Sequence, residues 1–171
     1  MNPEFSREAK IGVSVVDTKE IKGLTEIARS NPEKRATITL DRTQGETLHK
    51  QIDAILPETY LRPHSHINPQ RKTLVPLGGI AELVTFSDEG EILQKVLVGR
   101  EIVPVVEVEA NTWYTLVALS PFLVLEIKVN PTGYDKGKDE VFAPWAPEER
   151  TDEADIYFES LRQKLGLSPA S

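Results

Sequence analysis

The chain has 171 residues, of which 39% are hydrophobic and 27% charged, as is typical of a single globular domain. It contains no cysteine, so disulfides, cysteine-ligated metal sites and a thiol nucleophile are excluded. Its net charge of −7, without a basic cluster, argues against nucleic acid as a partner, and no apolar run is long enough to span a membrane. Because its first residues lack the apolar segment of a secretory signal, we expect a cytoplasmic protein.

Residues 1–35 are predicted to form an arm and one helix. Asp17 and Glu20 have the spacing of a capping box, which predicts the start of the helix. Apolar residues then recur at helical spacing as far as Ala28. Pro32 disfavours helical geometry in the residue before it, so the helix is predicted to end there.

From residue 36 to residue 130 the pattern changes to short strands separated by turns. Gly78-Gly79 predicts a bend, Ser87–Gly90 predicts a hairpin loop, and no helices alternate with the strands, which favours an antiparallel sandwich or barrel. The candidate strands are Ala36–Asp41, Leu48–Leu56, Thr59–His66, Lys72–Leu77, Ile80–Phe86, Ile92–Val98, Val103–Val108, Trp113–Leu119 and Phe122–Val129. Residues 131–171 are predicted to form an extension with a helix over 148–165, and all three parts are expected to form one structural domain.

The stretch Thr59–His66 carries the most chemical information. If it is extended, residues two apart share a face, so Tyr60, Arg62, His64 and His66 project together. Two imidazoles at this spacing can bind one metal ion or exchange protons near neutral pH. Arginine and tyrosine beside them suit an anionic or sugar ligand. The alternative interpretation is a pair of surface histidines on an edge strand.

Several motifs resemble those of a known family. Arg62-Pro-His-Ser-His66, followed by Leu77-Gly-Gly79, resembles the first cupin motif, and the segment 108–114 resembles the second. The segments 28–35, 133–135 and 142–149 resemble the WbuC-type cupin family. This resemblance implies an all-β fold, a single jelly-roll barrel, flanked here by an N-terminal and a C-terminal helix. It also implies a metalloprotein associated with bacterial surface polysaccharide gene clusters.

The sequence departs from the cupin pattern at two of the four expected metal ligands. His64 and His66 carry over, but Lys72 stands where the glutamate is expected and Tyr114 where the third histidine is expected. Tyrosine ligates only as a phenolate. Glu126 is a further candidate ligand, although we favour its interpretation as an outward residue paired with a lysine. The prediction is a weak or altered site for Zn, Fe, Ni or Mn.

The leading hypothesis is a cupin that binds a small carbohydrate-type ligand around His64 and His66, with Tyr60, Arg62 and Gln70 as ligand-binding residues. One alternative is a metal-free sugar-nucleotide isomerase or epimerase, a class that the Arg62–Gln70 segment also resembles. Its catalytic residues would be His64, His66, Lys72 and Tyr114. The other alternative is a non-catalytic binding protein. A homodimer is expected, since barrels of this type cover their sheet edges.

Four further residues receive structural interpretations. His49 is predicted to lie at the surface or behind the site, and Lys72 is equally consistent with an exposed position at a strand start. Trp145 is predicted to pack the C-terminal extension onto the barrel. Glu140 is assigned to a solvated, mixed-charge loop that begins at Asp135.

Overall fold

Two five-stranded antiparallel sheets face each other in the computed structural model, which describes residues 15–43, 46–67, 70–130 and 140–168. The elements within these ranges are α1 Thr18–Ser30, β1 Arg35–Thr39, β2 Leu48–Ile55, β3 His64–His66, β4 Lys72–Gly78, β5 Ile80–Phe86, β6 Ile92–Gly99, β7 Val106–Val108, β8 Trp113–Ala118, β9 Phe122–Val129, β10 Glu140–Phe142 and α2 Asp152–Lys164. The first sheet has the order β1-β2-β9-β4-β7 and the second β10-β3-β8-β5-β6. The predicted jelly-roll barrel with two flanking helices is confirmed.

The space between the sheets has an apolar end and a polar end. Leu74, Leu83, Leu116, Phe122 and Val124 belong to the buried cluster at the apolar end. In an extended strand every second residue shares a face, so the inward positions of the first sheet continue past this cluster into polar residues. These inward polar residues are His49, Gln51 and Asp53 of β2, Lys72 of β4, and Glu126 and Lys128 of β9.

Each helix covers the outer face of one sheet. The α1 helix packs Leu24 and Ala28 against outward residues of the first sheet such as Ile52. Asp17 caps it, and the capping box with Glu20 is present as predicted. The α2 helix packs Phe158 and other apolar residues against the outer face of the second sheet. Both helices have 13 residues, and no helix within the described ranges is long and apolar enough to cross a membrane.

Two predicted strands are corrected by the structure, and one strand of the structure has no predicted counterpart. The strand predicted over Thr59–His66 is reduced to β3, because Pro63 has no N–H for a ladder. The strand predicted from Val103 begins at Val106, since Val103 forms only an isolated bridge with Gly99. The β10 strand was not predicted. Most of the N-terminal arm, the segment 133–135 and the loop from Asp135 to residue 139 lie outside the described residues.

Candidate metal centre

His64, His66 and Glu140 converge on the inner face of the second sheet. β10 pairs antiparallel with β3, and this register places Glu140 directly opposite His66. One ligand atom from each of the three residues lies within 4.8 Å of the others. Two imidazoles and one carboxylate form a donor set found in catalytic zinc sites and in non-haem iron(II) sites. The chemistry of these side chains therefore fits a divalent transition metal.

The hydrogen bonds of His64 define which of its nitrogens is free to ligate. Nδ1 lies 3.1 Å from the backbone oxygen of Arg62, which only accepts, so Nδ1 carries the proton and donates. Burial and the charge of Lys72 lower the pKa of His64, which keeps the ring neutral. The lone pair therefore resides on Nε2. A backbone acceptor on the far nitrogen is the arrangement that orients metal-binding histidines.

The hydroxyl of Tyr114 lies between the two imidazoles. It is 3.0 Å from Nε2 of His64 and 3.2 Å from Nε2 of His66. Burial raises the pKa of Tyr114, so the phenol stays protonated. Since it has one proton, it donates to His64 Nε2 and accepts an N–H from His66 Nε2. The hydroxyl therefore occupies the ligating side of both rings.

Lys72 and Glu126 form a buried ion pair beside Tyr114. Lys72 Nζ lies 2.9 Å from Glu126 Oε2 and 5.7 Å from the centroid of the Tyr114 ring. Burial alone would lower the pKa of Lys72, but the Glu126 carboxylate and a hydrogen bond with Tyr114 outweigh it and raise the pKa well above its usual value. The alternative in which Lys72 is exposed at a strand start is wrong, because its side chain is buried. The outward orientation expected for Glu126 is also wrong, because this side chain faces the interior. The pairing of Glu126 with a lysine was right.

A hydrogen-bonded chain extends from Glu126 along β2. Gln51 Nε2 donates to Glu126 Oε2 at 3.3 Å and to Asp53 Oδ2 at 2.8 Å, and the Thr37 hydroxyl donates to the other oxygen of Asp53. Burial and the nearby Glu126 charge raise the pKa of Asp53 to about 7. This network lies inside the barrel and was not anticipated from the sequence.

His49 is buried, which excludes the surface position and leaves the predicted alternative, a position behind the site. Its Nδ1 contacts a carboxylate oxygen of Asp41, and its Nε2 lies 2.8 Å from Oε1 of Gln51. The inward face of β2 carries it, opposite the face that packs against α1.

The side chains of Tyr60 and Arg62 contact the C-terminal extension. Tyr60 packs edge-on against Tyr157 of α2, and its hydroxyl donates to the backbone oxygen of Pro147. Arg62 donates through Nε to the backbone oxygen of Ala146. The predicted sharing of one face with His64 was wrong for Tyr60, because the chain before β3 is not a regular strand.

The remaining predicted residues take different positions. Gln70 is buried just before β4, two residues from Lys72, and its predicted contact with a ligand stays a prediction. Trp145 packs against Phe86 and Tyr157, which confirms that it attaches the C-terminal extension to the barrel. The structure thus brings His64, His66, Lys72 and Tyr114 together, and it leaves Tyr60 outside.

Glu140 is the site residue that the sequence missed. Its strand has three residues, too few for an alternation pattern to be visible. The solvated interpretation was wrong, since Glu140 is half-buried and paired in register with His66. The short segment Glu140-Val141-Phe142 before a proline-containing turn was the only available signal.

A family described as a domain of unknown function, DUF6016, matches residues 16–98, just under half of the chain. No curated protein matches. Among solved structures, the capsular polysaccharide assembling protein CapF from Staphylococcus aureus is similar, with 15% identity and a TM-score of 0.52. That match covers 66% of this chain and 32% of CapF, so this chain spans about a third of that protein.

A second similar structure is protein SO0799 from Shewanella oneidensis, with 12% identity and a TM-score of 0.51, covering 66% of this chain and 75% of that one. The chain has a cupin fold. At these identities the likeness shows the fold alone. This cupin barrel carries its histidine pair on β3 of the second sheet and its buried lysines on the first.

Proposed function

We propose that this cupin binds a divalent transition metal through His64, His66 and Glu140, and that it binds a small carbohydrate-type ligand at the polar end of the barrel. The observation that carries the proposal is the approach of these three donors to within 4.8 Å on one inner face. Lys72 and Tyr114 replace two ligands of the cupin pattern, and Glu140 supplies a carboxylate from a different strand.

A bound metal would supply Lewis acidity toward a ligand oxygen. The chain's own residues prepare the site in other ways. The Arg62 carbonyl fixes the orientation of His64, and Tyr114 holds a proton between the two imidazoles. Lys72, neutralised by Glu126, presents its ammonium group beside the Tyr114 ring.

The carbohydrate class rests on the sequence resemblance to WbuC-type cupins and their polysaccharide gene clusters. The polar lining of the barrel agrees with it, because hydroxyl-rich ligands need many donors and acceptors. One protein of similar fold, CapF, is named for capsular polysaccharide assembly. Membership of the WbuC-type family and a role in surface polysaccharide metabolism belong to the same proposal.

The test is the zinc content of the untagged protein after reconstitution and dialysis. We expect near-stoichiometric zinc in the wild type, loss of zinc in His64→Ala and weakened binding in Glu140→Gln. His49→Gln is the matched control, because it removes a buried histidine outside the donor group. Zinc retained in both site variants, or absent from the wild type, would rule out the proposed centre.

A metal-free isomerase or epimerase is the second candidate, and the position of Tyr114 favours it. Its hydroxyl links His66, which donates, to His64, which accepts, so the pair is already divided into an acid and a base. This candidate predicts turnover of a keto-sugar nucleotide that survives chelation and is lost in His64→Ala. Binding of such a sugar without turnover would instead indicate a non-catalytic protein.

A further inference from the structure

Three basic side chains form one row across the first sheet at the polar end of the barrel. Lys72 of β4 is paired in register with Lys128 of β9, and Lys128 is paired with His49 of β2. All three side chains face inward. The exposed fraction is 5% for Lys72, 3% for Lys128 and 5% for His49. We call Lys72, Lys128 and His49 the basic row.

The hydrogen bonds of His49 fix the position of its ring at one end of the row. Its two ring nitrogens face acceptors, a carboxylate oxygen of Asp41 and the amide oxygen of Gln51. The orientation of the Gln51 amide is fixed, because its nitrogen donates to the carboxylates of Asp53 and Glu126. Both ring nitrogens therefore contact oxygen atoms, which holds the ring in place beside Lys128.

Placing cations opposite one another on neighbouring buried strands is unfavourable. Like charges at facing cross-strand positions repel, and burial removes the water that would screen them. Glu126 forms an ion pair with Lys72, and Asp41 contacts His49, at the two flanks of the row. An anion bound beside Lys72 and Lys128 would lower the repulsion between these two lysines.

Asn130 provides an independent indication of a ligand. It is one inward position beyond Lys128, since Val129 between them is exposed and Asn130 itself has an exposed fraction of 0%. Its backbone N–H continues the β2–β9 ladder by donating to Thr47. Within the described ranges, neither polar atom of its amide has a hydrogen-bond partner. A buried amide without partners is costly, and a bound oxygen would satisfy its N–H groups.

We propose that the basic row and Asn130 form a subsite for an anionic substituent, a carboxylate or a phosphate group, on the ligand of this barrel. The inference deepens the proposed function by giving the carbohydrate ligand a negative charge, and it rests on that proposal for the ligand class. The subsite lies on the first sheet, whereas the metal donors lie on the second.

The test compares D-glucuronate and D-glucose 6-phosphate with neutral D-glucose by isothermal titration calorimetry. The full chain is stripped with a chelator, because a bound metal would itself attract anions. We expect at least one anionic sugar to bind about tenfold or more tighter than glucose, as for a charge-assisted contact in a buried site. Preference for the first sugar identifies a carboxylate site, and preference for the second a phosphate site.

Lys128→Met should reduce this preference to about threefold or less, because it removes the central charge while keeping the side-chain volume. Lys95→Met is the matched control, since Lys95 is an exposed lysine on β6 outside the row, and it should keep the full preference. Asn130→Ala, with the same expected direction, replaces Lys128→Met if that variant does not fold.

Equal binding of the three sugars, including binding of none, would overturn the inference, as would an unchanged preference in Lys128→Met or its replacement. The zinc content of the same samples is measured separately. Loss of anion preference with zinc retained overturns the subsite alone, whereas absent zinc with anion preference retained overturns the metal centre alone.

Discussion

At the scale of single residues, the two departures from the cupin ligand pattern are compensated by neighbours. Lys72 gains a carboxylate partner in Glu126, and Tyr114 gains two imidazole partners. The shared face of His64 and His66 was predictable, because it depends only on the alternation of three consecutive residues. The contribution of Glu140 was not, since it depends on a strand pairing distant along the chain.

Replacing Tyr114 with phenylalanine should strengthen zinc binding about two- to tenfold. The neutral hydroxyl occupies the ligating side of both imidazoles, and its removal frees the two Nε2 atoms at the cost of one hydrogen-bond network. Competition with a chromophoric chelator measures the affinity. A weaker affinity in Tyr114→Phe would mean that the oxygen itself ligates the metal as a phenolate.

Asp53 should make the protein less stable as the pH rises from about 4 to about 7. Its pKa is raised from 3.8 to about 7 by burial and by Glu126, so the folded state binds this proton more tightly than the unfolded state. The stabilisation by protonated Asp53 is complete at pH values below the pKa of this residue in the unfolded state. It is lost as the pH rises through the pKa in the folded state. Thr37, Gln51 and Lys72 also face this carboxyl and oppose the shift.

The measurement is urea unfolding of the wild type and Asp53→Asn between pH 5 and pH 8. Because the amide imitates the protonated acid, the free energy of unfolding of the wild type should fall relative to the variant. The slope should not exceed about 1.4 kcal/mol per pH unit, the limit for one proton. The difference in unfolding free energy between the two proteins is compared across this pH range. A raised pKa of Asp53 would be contradicted if that difference stayed constant or grew in favour of the wild type.

At the scale of elements, patterns that act locally were predictable and those that depend on pairing were not. The capping box of α1, the bend at Gly79 and the hairpin at Gly90 each follow from a few adjacent residues. The length of β3 and the existence of β10 depend on which strands lie beside them. Alternation therefore predicted β9 with its observed bounds, Phe122–Val129, because eight residues carry enough periods.

Replacing Gly79 with alanine should lower the free energy of unfolding by about 2 kcal/mol or more. Gly79 joins β4 of one sheet to β5 of the other with a φ of +74°, and a Cβ there would lie 2.1 Å from the backbone oxygen of Pro121. Thermal or urea unfolding measures the change. Gly78→Ala is the control, because its Cβ would lie 3.6 Å from the nearest atom, and equal effects of the two substitutions would refute the explanation.

At the scale of the whole molecule, the barrel separates stability from chemistry along its length. The apolar end holds the two sheets together through residues such as Leu74 and Phe122, while the polar end collects the ionisable side chains. Hydropathy patterns indicate which positions face inward, but they do not distinguish an outward polar residue from an inward one at a site. This is why Glu126 was misplaced although its strand was predicted.

The basic row lies inside a molecule whose net charge is −7, so an anionic ligand would be repelled at long range and attracted only after entry. Salt screens the outer repulsion over a distance of about 10 Å at 0.1 M, but it screens the buried row much less. The association rate constant of an anionic sugar should therefore rise with ionic strength, contrary to ordinary electrostatic steering. Stopped-flow binding at several salt concentrations measures it, and a falling rate would show that the entrance itself is positive. The acidic exterior would thus slow the entry of anionic ligands. Selectivity among ligands would then depend on their association rates as well as on their affinities.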